Sequence, residues 1–235
     1  MQKNIYPQHY KKEISICDQS MIQKKITILL LRLLHKRKKP RLINFLGKKI
    51  LLCPGVFDPR TITTKFFIKN MQIKHKSKVL DLGTGTGIIA IFAAKKAKKV
   101  IAVDKSKKAI NCAKQNAKIN NINNIAFIKS DLFEKVKEKF DIILFQPPYI
   151  KGKAKKEIDH TFIENNTVKR FLHVARKYLH KKGYIIMSYS TLGDLKNMLK
   201  IAKRYYKINQ IAEKRFLFEK IFLFKLTPLP SPLLS

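Results

Sequence analysis

A chain of 235 residues, 45% hydrophobic, is long enough for one large α/β domain with a short appendage. Its 51 Lys and Arg against 15 Asp and Glu give a formal net charge of +36, which points towards nucleic acid or ribosomal partners; 43 of those cations are Lys and only 8 are Arg, so AT-rich coding, which raises Lys everywhere, is an equal explanation. Cys17, Cys53 and Cys112 are odd in number and far apart, and the six histidines lack ligand spacing, which argues against a disulfide framework and a metal site and fits free thiols in a reducing cytoplasm.

In chain order, residues 1–41 read as a loose segment followed by an amphipathic helix over 20–37. Its apolar stripe is Ile22, Ile26, Leu29, Leu30, Leu33 and Leu34, expected to dock on the main domain. The run is too short to span a bilayer and lacks a cleavage site, so no membrane or export role is expected. A β-hairpin over 42–53 leads into the stiff loop 54–61, and a helix follows with Thr63 or Thr64 as its cap. From Lys78 the pattern is regular. Strands at 78–81, 100–104, 125–128 and 140–145 alternate with helices; a helix near 165–180, with His173 and His180, precedes a strand at 184–190. A helix at 193–205 and two strands near 207–213 and 216–226 complete the domain. The implied fold is a doubly wound, mostly parallel seven-stranded α/β sheet over 42–226, closed by a C-terminal antiparallel hairpin. The Pro-rich segment 227–235 is expected to stay unpaired and disordered.

Right-handed crossovers place a ligand at the carboxyl ends of the parallel strands. The first such end is Asp81-Leu82-Gly83-Thr84-Gly85-Thr86-Gly87. Alternate glycines let the backbone turn sharply and approach a ligand closely, with a helix N-terminus behind them. Dinucleotide enzymes favour a different spacing, G-x-G-x-x-G, and Asp81 just ahead of the turn repels a pyrophosphate but suits an ammonium. The second end carries Asp104, a carboxylate able to accept from both hydroxyls of a ribose, as it also does in nicotinamide enzymes. The third carries Asp131, beside Leu132 and Phe133, a group that can hold the amino edge and ring of an adenine or simply cap the turn that follows. The fourth carries Gln146-Pro147-Pro148-Tyr149, where two prolines end a buried strand and stiffen it.

The stretch from Asp81 to Gly87 resembles the first motif of class I S-adenosylmethionine-dependent methyltransferases, and the segment 146–149 resembles the Asn-Pro-Pro-Tyr motif of those that modify planar nitrogens. Together with the loop that includes Pro59, Arg60 and Thr61, the domain is similar to release-factor glutamine N5-methyltransferases of the small-domain type. The resemblance implies S-adenosylmethionine as cofactor, held by Asp81, Gly83, Thr84, Gly85, Gly87, Asp104, Asp131, Leu132 and Gln146. It implies Gln146, Pro147 and Tyr149 as catalytic residues, with Pro148 and Arg60 added to the substrate side. The sequence departs from the pattern at Gln146, which stands where the motif has Asn. It is also shorter than the family ahead of the hairpin, where a longer helical region recognises the release factor. The acceptor expected first is a protein glutamine, as in a peptide-chain release factor. An exocyclic base nitrogen of ribosomal or transfer RNA is the alternative, with the Lys151-Gly152-Lys153-Ala154-Lys155-Lys156 loop on its phosphates, and a cofactor-binding module that has lost catalysis is the third.

Overall fold

The computed structural model describes residues 21–36, 38–216 and 219–230; the expectations for residues 1–19 and 231–235, and for the side chain of Ile22, lie outside these. Helix α1 (Met21–Leu34) precedes a two-stranded hairpin, β1 (Arg41–Phe45) and β2 (Lys48–Leu52), then α2 (Ile62–Asn70). The sheet follows as β3 (Lys78–Leu82), α3 (Ile88–Ala94), β4 (Lys99–Asp104), α4 (Lys107–Ile119), β5 (Ile125–Lys129), β6 (Phe140–Phe145), α5 (Thr167–Val174), β7 (Leu179–Ser190), α6 (Leu195–Ala202), β8 (Tyr206–Phe216) and β9 (Glu219–Pro228). Strand order is β5-β4-β3-β6-β7-β9-β8, parallel from β5 to β7, with β9 antiparallel to both of its neighbours.

Both faces of the sheet are covered because its strands are apolar at successive positions. Leu80, Val103, Ile143 and Phe145 pack with Phe171 of α5 and Met198 of α6 on one side. Val79, Ala102, Ile142 and Leu144 pack with Phe67 of α2 and Ile91 of α3 on the other. Two-sided burial of this kind is the normal condition of a parallel sheet.

Several expectations are corrected. The cap of α2 is Thr61, whose hydroxyl accepts from the Thr64 N–H at 3.4 Å, not Thr63 or Thr64. The helix expected to reach residue 180 ends at Val174, passes through a 3₁₀ turn (Ala175–Tyr178), and gives way to β7 at Leu179, before Gly183 rather than after it. His173 therefore sits on a helix and His180 on a strand. The early start follows from pairing of Leu179 with Phe140, made through an irregularity between Phe140 and Ile142 that no local pattern announces. Thr227 and Pro228 do pair, opposite Lys207 and Tyr206. Registered pairing of β9 with β7 ends at Leu226, so the N–H that Pro228 lacks faces an open side. Cys53 and Cys112 form a disulfide, against the free thiols expected; an odd count still leaves one pair, and the fold lays the end of β2 along α4.

Helix α1 docks, but not by the expected stripe. Ile26, Leu29, Leu30 and Leu33 are exposed, whereas Ile28 and Leu31 pack on a cluster of Ile150, Phe162, Ile163 and Leu192. Polar anchors decide the face. The Arg32 guanidinium grips Asp159 in a fork, Nε to Oδ1 at 3.0 Å and Nη2 to Oδ2 at 2.5 Å. His35 Nε2 accepts from the Asp58 N–H at 2.8 Å, which leaves Nδ1–H to donate to the Leu31 carbonyl. Among the described residues no helix is long and apolar enough to cross a membrane.

The Arg32 hydrogen bonds hold the Asp159 carboxyl down at about 2. A depressed acid adds stability above its unfolded value, about 4, and loses it as the pH falls through the folded one. Hydrogen-exchange protection of α1 is therefore expected to be level from neutral pH to about pH 4 and to decline towards pH 2. Arg32→Ala, which leaves the buried Asp159 carboxylate only its backbone donors at Lys155 and Lys156, is expected to cost about 2 kcal/mol of that protection at neutral pH.

Candidate active site

Register builds the site. Leu82 of β3 lies opposite both Val103 of β4 and Phe145 of β6, and Asp104 lies opposite Lys129 of β5. The next residues of each strand, Gly83, Gln146 and Ser130, therefore emerge side by side with Asp104. All of the sequence-predicted site residues except Asp81 and Gly87 line one cavity of about 990 Å³ at this edge.

The glycine turn needs positive φ at Gly83 (+68°), Gly85 (+55°) and Gly87 (+81°), but for different ends. A Cβ on Gly83 would meet no atom within 4 Å, so its bareness opens space, whereas one on Gly87 would lie 2.9 Å from the Ala113 Cβ. Gly87 thus serves the packing of α3 against α4. Asp81 lies beneath the turn and braces it, accepting from the Thr84 hydroxyl at 2.7 Å. Burial pushes its carboxyl up to about 7, against the pull of that hydrogen bond. Asp104 does face the cavity. Its Oδ2 accepts from the Gly85 N–H at 3.0 Å and its Oδ1 from the Ser106 N–H at 2.9 Å, while burial raises its pKa.

A residue that the sequence reading missed ties this turn to the rest. Asn116, fully buried on α4, donates to the carbonyls of Thr86 and Leu51 at 2.9 and 3.0 Å, and its Oδ1 accepts from the Leu51 N–H at 2.6 Å. One carboxamide thereby joins the glycine turn to β2, beside the Cys53–Cys112 bond. An Asn in a helix reads as surface unless its tertiary partners are known.

Across the cavity, the Gln146 amide donates to the Thr64 hydroxyl at 3.0 Å, and its Oε1 is buried without a partner among the described residues. The hydroxyls of Tyr149 and Thr63 lie 3.1 Å apart, and Tyr149 donates to Glu219 Oε2 at 3.4 Å. Glu219 also accepts from the Ser190 hydroxyl, and burial raises its carboxyl above the usual range. Thr63, Thr64 and Glu219 escaped the sequence reading as site residues because none belongs to a local motif; Glu219 arrives from the terminal hairpin. Arg60 is held by Asp58, with Nη2 to Oδ2 at 2.8 Å, and Asp131 is paired with Arg170 at 2.9 Å. In the basic loop, Lys151 pairs with Asp194 at 2.8 Å, and the backbone N–H groups of Lys155 and Lys156 donate to Asp159.

A doubly wound sheet with this strand order, a terminal antiparallel hairpin and a glycine turn facing a strand-end carboxylate defines the class I methyltransferase fold. A crystal structure of ribosomal protein L11 methylase from Lactobacillus delbrueckii subsp. bulgaricus superposes with a TM-score of 0.54, at 26% identity, over 68% of this chain and 74% of that one. The Thermus thermophilus 16S rRNA N2 G1207 methyltransferase, solved with AdoMet and guanosine, shares the fold at a TM-score of 0.62 and 19% identity, over 80% of this chain and 50% of that one. The profile of the methyltransferase small domain matches residues 48–217, and the chain belongs to that family. It is 35% identical over 193 residues to a Methanocaldococcus jannaschii protein named "Putative protein N5-glutamine methyltransferase", covering 77% of this chain and 96% of that one. It is 37% identical over 139 residues to the release factor glutamine methyltransferase of Lactococcus lactis subsp. lactis, covering 56% of this chain. The chain spans about half the length of that relative, 51%.

The two glycines separate experimentally. Gly87→Ala forces both a left-handed alanine and a clash with Ala113, and is expected to cost about 3 kcal/mol in urea unfolding. Gly83→Ala meets only the conformational strain, about 1 kcal/mol.

Proposed function

We propose that the chain transfers a methyl group from S-adenosylmethionine to the side-chain amide nitrogen of a protein glutamine, the acceptor being a peptide-chain release factor. The observation that carries this reading is the Gln146-Pro147-Pro148-Tyr149 segment at the end of β6, level with the glycine turn of β3, with an unpartnered buried carbonyl on Gln146. The names of the relatives in Methanocaldococcus jannaschii and Lactococcus lactis support the acceptor class.

The residues fit the cofactor. The bare Gly83 leaves room for a ligand to lie against the backbone, and Asp104 offers a carboxylate where a ribose would sit. Leu132, at a positive φ of 46°, lines the same wall beside Asp131, where an adenine would pack. When bound, S-adenosylmethionine supplies a methyl group on a sulfonium, whose C–S electron pair stays on sulfur as the new N–C bond forms.

An amide nitrogen is a poor nucleophile because its lone pair is delocalised into the carbonyl. The chain's task is therefore orientation. Gln146 Oε1 and the Pro147 carbonyl each accept one N–H of the acceptor, which turns the nitrogen's lone pair away from them and towards the methyl. The Tyr149 ring packs on the planar amide, its hydroxyl fixed by Thr63 and Glu219. The proton leaves the nitrogen for water after transfer, so no strong base is required. Positioning and fixed dipoles supply the rate enhancement.

Labelled methyl from S-adenosylmethionine is expected on a glutamine of purified release factor and not on unmodified ribosomal or transfer RNA. Label on RNA alone would overturn the acceptor, and label on neither would favour a module without turnover. Tyr149→Ala is expected to lower turnover by about 100-fold while sparing cofactor affinity. Asp104→Ala is expected to weaken cofactor binding by about 10- to 100-fold in calorimetry, the loss of charged hydrogen bonds.

A further inference from the structure

Gln at position 146 is the one place where the motif of β6 departs from its pattern, and the structure surrounds it with a partner of its own. Gln carries one methylene more than Asn, roughly 1.5 Å of extra reach. It also carries one more rotor, and the terminal torsion of a carboxamide is broad and nearly two-fold. Left free, such an amide turns over and offers its NH₂ group where its oxygen is needed. An N–H of the acceptor would then meet another donor.

Thr64 holds one of the two orientations. It is 2% exposed, in the first turn of α2, and its hydroxyl oxygen accepts from Gln146 Nε2 at 3.0 Å. The same hydroxyl lies 3.1 Å from that of Thr61, which already accepts the Thr64 N–H as the cap of α2. Either hydroxyl can donate to the other. In the arrangement seen, the Gln146 NH₂ takes a lone pair of Thr64, which leaves the Thr64 proton for Thr61. The Gln146 Oε1 is left buried and unpartnered. The neighbouring Thr63 holds Tyr149 by its hydroxyl, so consecutive residues of α2 fix both ends of the segment.

We propose that Thr64 is a positioning residue, which locks the carboxamide of Gln146 with its carbonyl towards the acceptor nitrogen and so lets Gln serve at this position. The inference rests on the proposed glutamine methylation and names how its acceptor is oriented. A structural role for Thr64 alone would make its loss act through α2 and not through Gln146.

The test is a double-mutant cycle on methyl transfer to release factor. Thr64→Val keeps the shape and removes the hydroxyl; it is expected to lower kcat by roughly 10- to 100-fold, with cofactor affinity within about 2-fold of wild type. Thr64→Ser, which keeps the hydroxyl, is expected to restore kcat to within about 3-fold. Gln146→Asn draws the amide out of reach of Thr64, so Thr64→Val should cost nothing further in that background. Wild-type kcat in Thr64→Val, an equal loss in both backgrounds, or a Thr64→Ser as impaired as Thr64→Val would each overturn the proposal. The side-chain NH₂ resonances of Gln146, assigned by their loss in Gln146→Asn, give a readout free of turnover. They are expected to shift and lose exchange protection in Thr64→Val, and unchanged resonances would overturn the proposal even for a chain that methylates nothing. An inactive wild type with the expected resonance shift would instead sink only the functional reading.

Discussion

The parallel pairing of β3 with β4 and β6 is the constraint on which the rest depends. Because Leu82 stands level with Val103 and Phe145, the glycine turn, Asp104 and Gln146 leave the sheet at one height. A shift of one residue in either pairing would send the alternate side chains to the wrong face. It would place Asp104 or Gln146 out of range of the turn. Both faces of β3 and β6 are closely packed against different partners, so a slip would have to repack both layers, and the core and the site share one register.

The opposite wall is assembled differently. It consists of α1, the loop 54–61 and the start of α2, none of which belongs to the sheet. Here polar and covalent ties replace the ladder. Asn116 and the Cys53–Cys112 bond fasten β2 to α4. His35 accepts from the backbone of Asp58, and Arg60 closes on the carboxylate of the same residue. Loops seldom bury enough apolar surface to fix themselves, and those that carry function are held by a rigid scaffold. These ties provide that hold, and they bring Thr63 and Thr64 against the end of β6.

This division explains what was legible in the sequence. The sheet strands, the glycine turn and the end of β6 are local patterns: a run of apolar residues, a spacing of glycines, a pair of prolines. Each could be read from its neighbours alone. Asn116, Thr64 and Glu219 could not, because each acts on a residue 65 to 82 positions away or across a hairpin that closes only at the C-terminus. The docked face of α1 was misread for a related reason. Periodicity selects the most apolar stripe, but the helix is oriented by Arg32 and His35, whose partners come from other segments. The Cys53–Cys112 bond was hidden in the same way, since its spacing carries no signature and only the fold brings the pair together.

The few arginines sharpen the reading of the charge. Among the described residues, two of the chain's eight arginines use the planar fork, Arg32 on Asp159 and Arg60 on Asp58, while Arg170 reaches Asp131 with one nitrogen and Glu134 with the other. A lysine offers a point charge and could not hold both carboxylate oxygens in a fixed plane. Arg60, Asp131 and Arg170 line the cavity, and Arg32 anchors α1, whose Leu30, Leu31 and Leu34 line it too. Lys pairs such as Lys99 with Glu138, at 3.6 Å, lie on exposed surface and need no such geometry. Most of the positive charge is therefore carried by Lys, while Arg32 and Arg60 supply direction as well as charge in the wall opposite the sheet.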